Sequence, residues 1–191
     1  MKEKIHIRLA ELQDLDAIER IELENFSEEE AIAREILRDH IEKIQATFLV
    51  AECQGQILGY IEGPVRPERY LIDSSFSKVE DLSHLEQGFI SITSLSIAKE
   101  AQGLGVGTLL LDALKEIAVK DHRQGINLTC HDYLIPYYEK QGFTNEGRSE
   151  SQYAGEVWYN LVWENEKPVS YTHLLMIRVK NNIYLLKSSI T

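Results

Sequence analysis

Ser94-Leu95-Ser96-Ile97-Ala98-Lys99-Glu100-Ala101-Gln102-Gly103-Leu104-Gly105-Val106-Gly107 decides how the rest of the chain is read. The stretch opens as an apolar strand, then passes through a short polar turn into a glycine-rich loop. It runs on into Val106, Leu110, Ala113, Leu114 and Ile117, which recur at helical spacing. A glycine-rich loop at a helix N-terminus exposes backbone N–H groups where the helix dipole also favours negative charge. Its natural guest is a phosphate or pyrophosphate.

Three loop types compete for these residues. The phosphate loop of nucleotide triphosphatases needs Gly-Lys-Ser/Thr at its end. Here Thr108 follows Gly107, but Val106 precedes it and no lysine is placed to reach a phosphate. The dinucleotide fingerprint needs a third small residue after Gly103 and Gly105, and finds Thr108. The third pattern, Gln/Arg-x-x-Gly-x-Gly/Ala, is met by Gln102, Gly105 and Gly107.

Downstream, Gly125 to Cys130 reads as a strand, and His131-Asp132-Tyr133-Leu134-Ile135-Pro136-Tyr137-Tyr138-Glu139-Lys140-Gln141-Gly142-Phe143 follows. It closes on Tyr-x-x-x-Gly-Phe, with a helix ending at Gly142. These two signatures, in this order and about one helix plus one strand apart, resemble the GCN5-related N-acetyltransferase (GNAT) superfamily. Within it the chain is most similar to the arylalkylamine N-acetyltransferases. Glu24-Asn25-Phe26-Ser27, then Glu62-Gly63-Pro64-Val65 before a charged loop, share that group's layout, and Cys130, Asp132, Tyr138, Gly142 and Phe143 fit its pattern.

The resemblance implies an α/β (α+β) domain with a mixed central sheet of about six to seven strands flanked by helices. It also implies a bulged, splayed central strand along which a pantetheine arm pairs like an added strand. The implied cosubstrate is acetyl-CoA, with no metal. Leu95, Ser96 and Ile97 would offer backbone groups to the pantetheine. Gln102, Gly103, Leu104, Gly105, Val106, Gly107 and Thr108 would hold the pyrophosphate. Tyr138 would stand beside the thioester sulfur as the acid for the departing thiolate. The animal arylalkylamine enzymes carry two histidines on the central strand; Ser91 and Thr93 stand there in this chain. Neither is a base near neutral pH, so their expected part is to order a water.

The chain has 191 residues, enough for one well-buried domain. Lys plus Arg number 20 against 31 Asp plus Glu, a net charge of −11. That balance argues against nucleic acid and would attract cationic amines. Cys53 and Cys130 each end an apolar run, where a small buried thiol is expected, and no metal-ligand spacing occurs. The N-terminus lacks the apolar core of a signal peptide and no run is apolar enough to span a membrane, so the cytoplasm is the expected compartment, as monomer or homodimer.

Along the chain, Ile5, Ile7 and Leu9 alternate as a first strand, and Asp14 is placed to cap a helix with Leu15, Ile18, Ile21 and Leu23 inward. Ser27 and Glu30 form a capping box for a second helix with Ile32, Ile36, Leu37 and Ile41 inward. Thr47 to Glu52 and Gln56 to Ile61 read as a hairpin turning at Gln54 and Gly55. Val65 to Gln87 is a long polar connection, expected to be a mobile loop with one helical turn; loops of that length often serve as lids. Phe89 to Ile97 forms the central strand. Ile90 and Ile92 are apolar at even positions, Leu95 and Ile97 at odd ones, so the two-residue period slips between Thr93 and Leu95. Either a bulge intervenes or the strand is buried on both faces. Phe143 to Arg148 and Glu156 to Trp163 read as a closing strand pair, and Asp132 as a helix cap.

These readings place an N-acetyltransferase domain over residues 1–166. In the tail, 167–191, Val169-Ser170-Tyr171-Thr172-His173-Leu174 resembles the translated end of a transposon adapter used in DNA sequencing libraries. The tail then reads as a fusion or assembly scar; the alternative is a final strand pair from Met176–Val179 and Ile183–Leu186. The expected activity is acetyl transfer to a small primary amine, an arylalkylamine or polyamine, by direct attack in a ternary complex. A protein N-terminus or lysine is the alternative acceptor, and a non-catalytic acyl-CoA-binding module the alternative class. The amine arrives mostly protonated (reference value roughly 10.4), so the site must take a proton from it. His131 and Glu62 are further candidates, as a base and as an amine-binding carboxylate.

Overall fold

The computed structural model describes residues 4–76, 79–166, 175–179 and 182–186. The alternating N-terminal residues form β1 (His6–Leu9), followed by α1 (Leu15–Asn25) and α2 (Arg34–Lys43). The hairpin is β2 (Phe48–Cys53) and β3 (Gln56–Glu62); Gln54 and Gly55 both have positive φ, as a two-residue turn between twisted strands requires. A short β4 (Val65–Arg66) precedes the long connection. Then come β5 (Phe89–Ile92), β6 (Ser94–Ile97), α3 (Val106–Lys120) and β7 (Gly125–Cys130). The domain closes with α4 (Ile135–Lys140), β8 (Thr144–Arg148) and β9 (Tyr159–Glu164). In the tail, β10 (Leu175–Val179) and β11 (Asn182–Leu186) pair with each other as an antiparallel hairpin; residues 167–174 lie outside the described residues.

The strands form two half-sheets, in the orders β1-β2-β3-β6 and β4-β5-β7-β9-β8, with β5 and β7 parallel. Among the described residues the half-sheets together hold nine strands, more than expected, because the central strand is split into β5 and β6 and the two-residue β4 pairs alongside β5. Glu62 pairs with Ser94, but Val65 pairs with Ile90, so one extra residue lies on the central strand between Ile90 and Ser94. The bulge reading is therefore the right one. Thr93 N–H donates to Glu62 O at 3.0 Å and Ser91 N–H to Pro64 O at 2.9 Å, which stitches the halves together. Pairing of β5 with β7 ends at Ile92 and Leu128, while β6 pairs with β3. The sheet opens there as a wedge.

Helix α3 turns Val106, Leu110, Leu111, Leu114 and Ala118 inward onto the sheet, each essentially without solvent contact. Burying such side chains contributes about 1.5–3 kcal/mol each for the larger ones. Three local expectations are corrected. Leu23 is exposed and Glu22 takes the inward position, because α1 ends against β6 rather than continuing over the apolar core. Ser27 and Glu30 do bond each other, but they close a turn, and α2 begins only at Arg34. Asp14 does not cap α1 through its side chain; it is buried and accepts two bonds from Arg8, at 2.7 and 2.8 Å, and one from the Glu11 N–H. Burial would raise its carboxyl, but Arg8 outweighs that and holds it below the usual range. Asp132 lies inside a 3-10 turn whose N-cap is His131, and Cys53 is half-buried rather than buried.

The connection between β4 and β5 contains the expected helical turn, Asp73–Phe76. It is pinned along its length. Arg69 pairs with Glu146 and Glu164, and Asn127 donates to the carbonyls of Glu68 and Arg69. Asp73 accepts from Ser151 and Gln152, and the Arg123 guanidinium donates to the carbonyls of Ser83 and Leu85. These bonds lay Phe76 against the wedge.

Candidate functional site

Two cavities of about 470 Å³ each meet at the wedge. One runs over the α3 N-terminus. Leu95, Ile97, Gln102, Gly103, Gly105, Val106, Gly107, Thr108 and Tyr138 line it, together with Tyr137 and Leu134. The first ladder bond of α3 is Leu109 N–H to Gly105 O at 3.1 Å, so the N–H groups of the preceding turn are free of the helix ladder. Gly105 holds φ +84°, a conformation that costs a side-chain-bearing residue about 1–2 kcal/mol. A Cβ on Gly107 would come within 2.6 Å of the Tyr137 hydroxyl, so the ring can lie directly over the loop. A concave face of bare amides at a helix start fits a pyrophosphate. Of the expected cofactor residues, Leu104 is exposed at the tip and Ser96 faces the other way. The Ser96 hydroxyl donates to Ile21 O at 3.1 Å and accepts from Asn25 at 2.9 Å. Gln102 donates to Asn25 Oδ1 at 2.9 Å and tethers the loop to α1.

The second cavity lies between α1, the wedge and the two loops above it. Its lining includes Glu22, Phe26, Glu30, Phe76, Thr93, Cys130, His131, Tyr133, Tyr138, Tyr153 and Trp158. Phe76 and Tyr153 stack with centroids 4.0 Å apart, and His131 stacks on Trp158 at 4.4 Å. Tyr153 O–H donates to the Glu30 carbonyl at 3.1 Å, so the segment before α2 and the segment between β8 and β9 join over the cavity. His131 Nε2 and Glu30 Oε1 are 3.0 Å apart. Burial would raise the Glu30 carboxyl, but Ser27 and His131 outweigh it and lower it.

Glu22 was missed by the reading of the sequence, because its place on the inner face of α1 breaks the apolar stripe. Its side chain is almost wholly buried, and it accepts from Tyr60 O–H, from Ser94 O–H at 3.0 Å and from Ile32 N–H at 3.0 Å. Burial dominates, pushing its carboxyl up to about 7 against these three donors, with Glu62 adding repulsion. A buried carboxyl poised near neutrality in a cavity can accept a proton.

Tyr138 is the residue that both cavities share at their junction, along with Leu95, Ile97, Gln102 and Leu134. Its ring meets Tyr137 and Phe143 edge-on, and burial pushes its phenol well above the ordinary value. Cys130 lies nearby, but burial pushes its thiol up to about 12, with Asp132 adding to the effect. Thr93 lines the acceptor cavity. Ser91 lines neither cavity; it is buried on the far side, and its hydroxyl has no partner. Glu62 is buried behind Thr93, bonded to it rather than opening on the cavity. Among the described residues there is no cluster of three or more His, Cys, Asp or Glu side chains placed to hold a metal, and no helix is long and apolar enough to cross a membrane.

Residues 13–165 match the acetyltransferase (GNAT) domain family, and the chain belongs to it. It is an acetyl-CoA-dependent N-acyltransferase. An N-alpha-acetyltransferase of Sulfurisphaera tokodaii is 30% identical over 142 residues, covering 72% of this chain and 78% of that protein. Among solved structures, Naa50 of Arabidopsis thaliana in complex with a bisubstrate analogue has a TM-score of 0.65 at 15% identity, covering 84% of this chain and 99% of that one. Naa20 of Chaetomium thermophilum, also with a bisubstrate analogue, has a TM-score of 0.66 at 21% identity, covering 88% and 90%. These two likenesses establish the fold.

Proposed function

We propose that the chain acetylates a small primary amine with an aromatic or compact apolar body, by direct attack while both substrates are seated. The observation that carries this reading is the roofed acceptor cavity. Tyr153 bridges to Glu30, Phe76 stacks on Tyr153, and Phe26, His131, Tyr133 and Trp158 add further rings to the lining. Such a wall suits a flat or short body and, through its ring faces, an ammonium group. A linear polyamine would leave those rings unused.

Acetyl-CoA supplies the thioester carbonyl. The residues do the rest. The amides of Gly105 to Thr108 anchor the diphosphate, and the free edge of β6 aligns the arm along the wedge. Glu22 takes the proton of the incoming ammonium, directly or through one water, leaving a neutral amine. Thr93 can hold such a water at the bulge. Tyr138 keeps its proton throughout the working range and so always has a hydrogen to donate to the departing sulfur. A thiol, at about 8.5, is the stronger acid, so a hydrogen bond rather than full transfer is the step that suits Tyr138. The high thiol value of Cys130 speaks against an acyl-cysteine route.

A second acceptor, the α-amino group of a polypeptide, is favoured by the 30% identity to the Sulfurisphaera tokodaii protein. Steady-state kinetics on a panel of arylalkylamines, linear polyamines and short peptides separate the two. The small-amine reading expects arylalkylamines to lead in kcat/KM, and Phe76→Ala to raise their KM about tenfold with the KM of acetyl-CoA unmoved. Peptides leading the panel, with Phe76→Ala indifferent, would replace it by the second.

A further inference from the structure

Behind the acceptor cavity the core holds a second carboxylate. Glu62, ending β3, is fully buried, as is His40 from α2. His40 Nδ1 lies 2.9 Å from one Glu62 oxygen, and Thr93 O–H donates to the other at 2.5 Å. Thr93 is in the bulge and lines the cavity. Ser94 is the cross-strand partner of Glu62 and donates to Glu22, so a single serine separates the two carboxylates. Buried charges of this kind are costly, and an apolar trio of similar volume would hold the core at least as well. The Nε2 of His40 is itself buried without a partner. The arrangement is therefore better explained by the site it abuts than by stability.

We propose that Glu62 is a positioning residue for acetyl transfer: clamped between His40 and Thr93, its negative charge beside Glu22 strengthens the grip of Glu22 on the proton that leaves the amine. The inference rests on Glu22 being the proton acceptor. The charged and titratable groups facing Glu22 are Tyr60 and Glu62 from β3 and Tyr153 from the segment before β9, with the Glu30–His131 pair on the cavity wall. Glu62 faces His40, whose own helix adds Asp39 and Lys43 of opposite sign. Burial works against a charged His40, but Glu62 outweighs it, and the imidazole holds its proton above the ordinary value. His40 thus fixes the Glu62 charge in place without reaching Glu22.

The test is the pH profile of kcat/KM for the intact chain and for Glu62→Gln, with an arylalkylamine and acetyl-CoA. Removing the charge should move the acid limb down by about one pH unit, as expected for loss of a neighbouring like charge. A support that is only structural lowers the rate at every pH and leaves the limb where it was; that result overturns the proposal. Glu22→Gln separates the two claims. If it keeps the limb, the proton-acceptor reading has failed; if it abolishes the limb while Glu62→Gln leaves it unmoved, only the role of Glu62 has failed. Should Glu62→Gln not fold, His40→Gln asks the same question from the other side. Without His40 the buried Glu62 loses the partner that fixes its charge, so the limb moves down as in Glu62→Gln; an unmoved or raised limb overturns the proposal.

Discussion

Replacing Glu22 by Gln removes the proton acceptor while keeping the shape of the side chain. With the carboxyl poised at about 7, about a tenth of it is ionised at pH 6 and about nine tenths at pH 8, so kcat/KM of the unaltered chain should climb roughly tenfold across that range. The variant should lose about a hundredfold or more at pH 8, the usual scale of general-base catalysis, and its profile should lose the limb near neutrality. Stability gives an independent readout. A carboxyl raised from 4.5 to about 7 means that the folded chain binds more protons than the unfolded one between those values. Its contribution is present below about 4.5 and lost as pH rises through about 7. At about 1.4 kcal/mol for each tenfold in proton affinity, that is about 3–4 kcal/mol at most. Glu22→Gln should flatten this part of the stability curve in urea titrations at stepped pH. A variant retaining kcat/KM within about threefold, with the limb in place, would refute the reasoning.

Gly105→Val forces a β-branched residue into the left-handed region, so the KM for acetyl-CoA should rise about tenfold, read from initial rates, with the amine KM little moved. Tyr138→Phe should lower kcat about tenfold or more while calorimetry finds acetyl-CoA bound nearly as before, since the phenol is assigned to the departing sulfur. Residues 1–166 alone should keep the full kcat/KM and melting temperature, because the family match ends at residue 165 and the tail strands pair with each other; a clear loss of either would make the tail part of the enzyme.

Much of the fold was legible because its signals were local. The hairpin turn at Gln54–Gly55, the apolar stripe of α3 and the alternation slip near Thr93 each depend on a few neighbours in sequence. The turn and the slip appear where expected, and the stripe does too except that Leu111 and Ala118 are buried while Ala113 and Ile117 are only partly so. Periodicity failed where a long-range partner overrode it. Glu22 occupies an inward position that the pattern assigned to Leu23, because Tyr60 and Ser94, far along the chain, supply donors that only the folded sheet brings together. Arg8 draws Asp14 away from a helix cap in the same way. Ser27 and Glu30 bond each other, but the Glu30 N–H goes to the Ser27 carbonyl rather than its hydroxyl, so they close a turn instead of a capping box and the helix begins only at Arg34. The glycine loop and Tyr138 could be placed in one groove from their motifs alone. The aromatic roof could not, for Phe76, His131, Tyr153 and Trp158 come from three separate segments with no common spacing.

The central claim is that a thioester bound over the α3 N-terminus delivers its acetyl group to an amine in the roofed cavity. The most direct measurement follows free thiol and product mass together, in one reaction with acetyl-CoA and an arylalkylamine. The account predicts thiol release that requires the amine and matches the N-acetyl amine formed one for one. Tight acetyl-CoA binding with no amine-dependent thiol release, across the whole panel of acceptors, would contradict it.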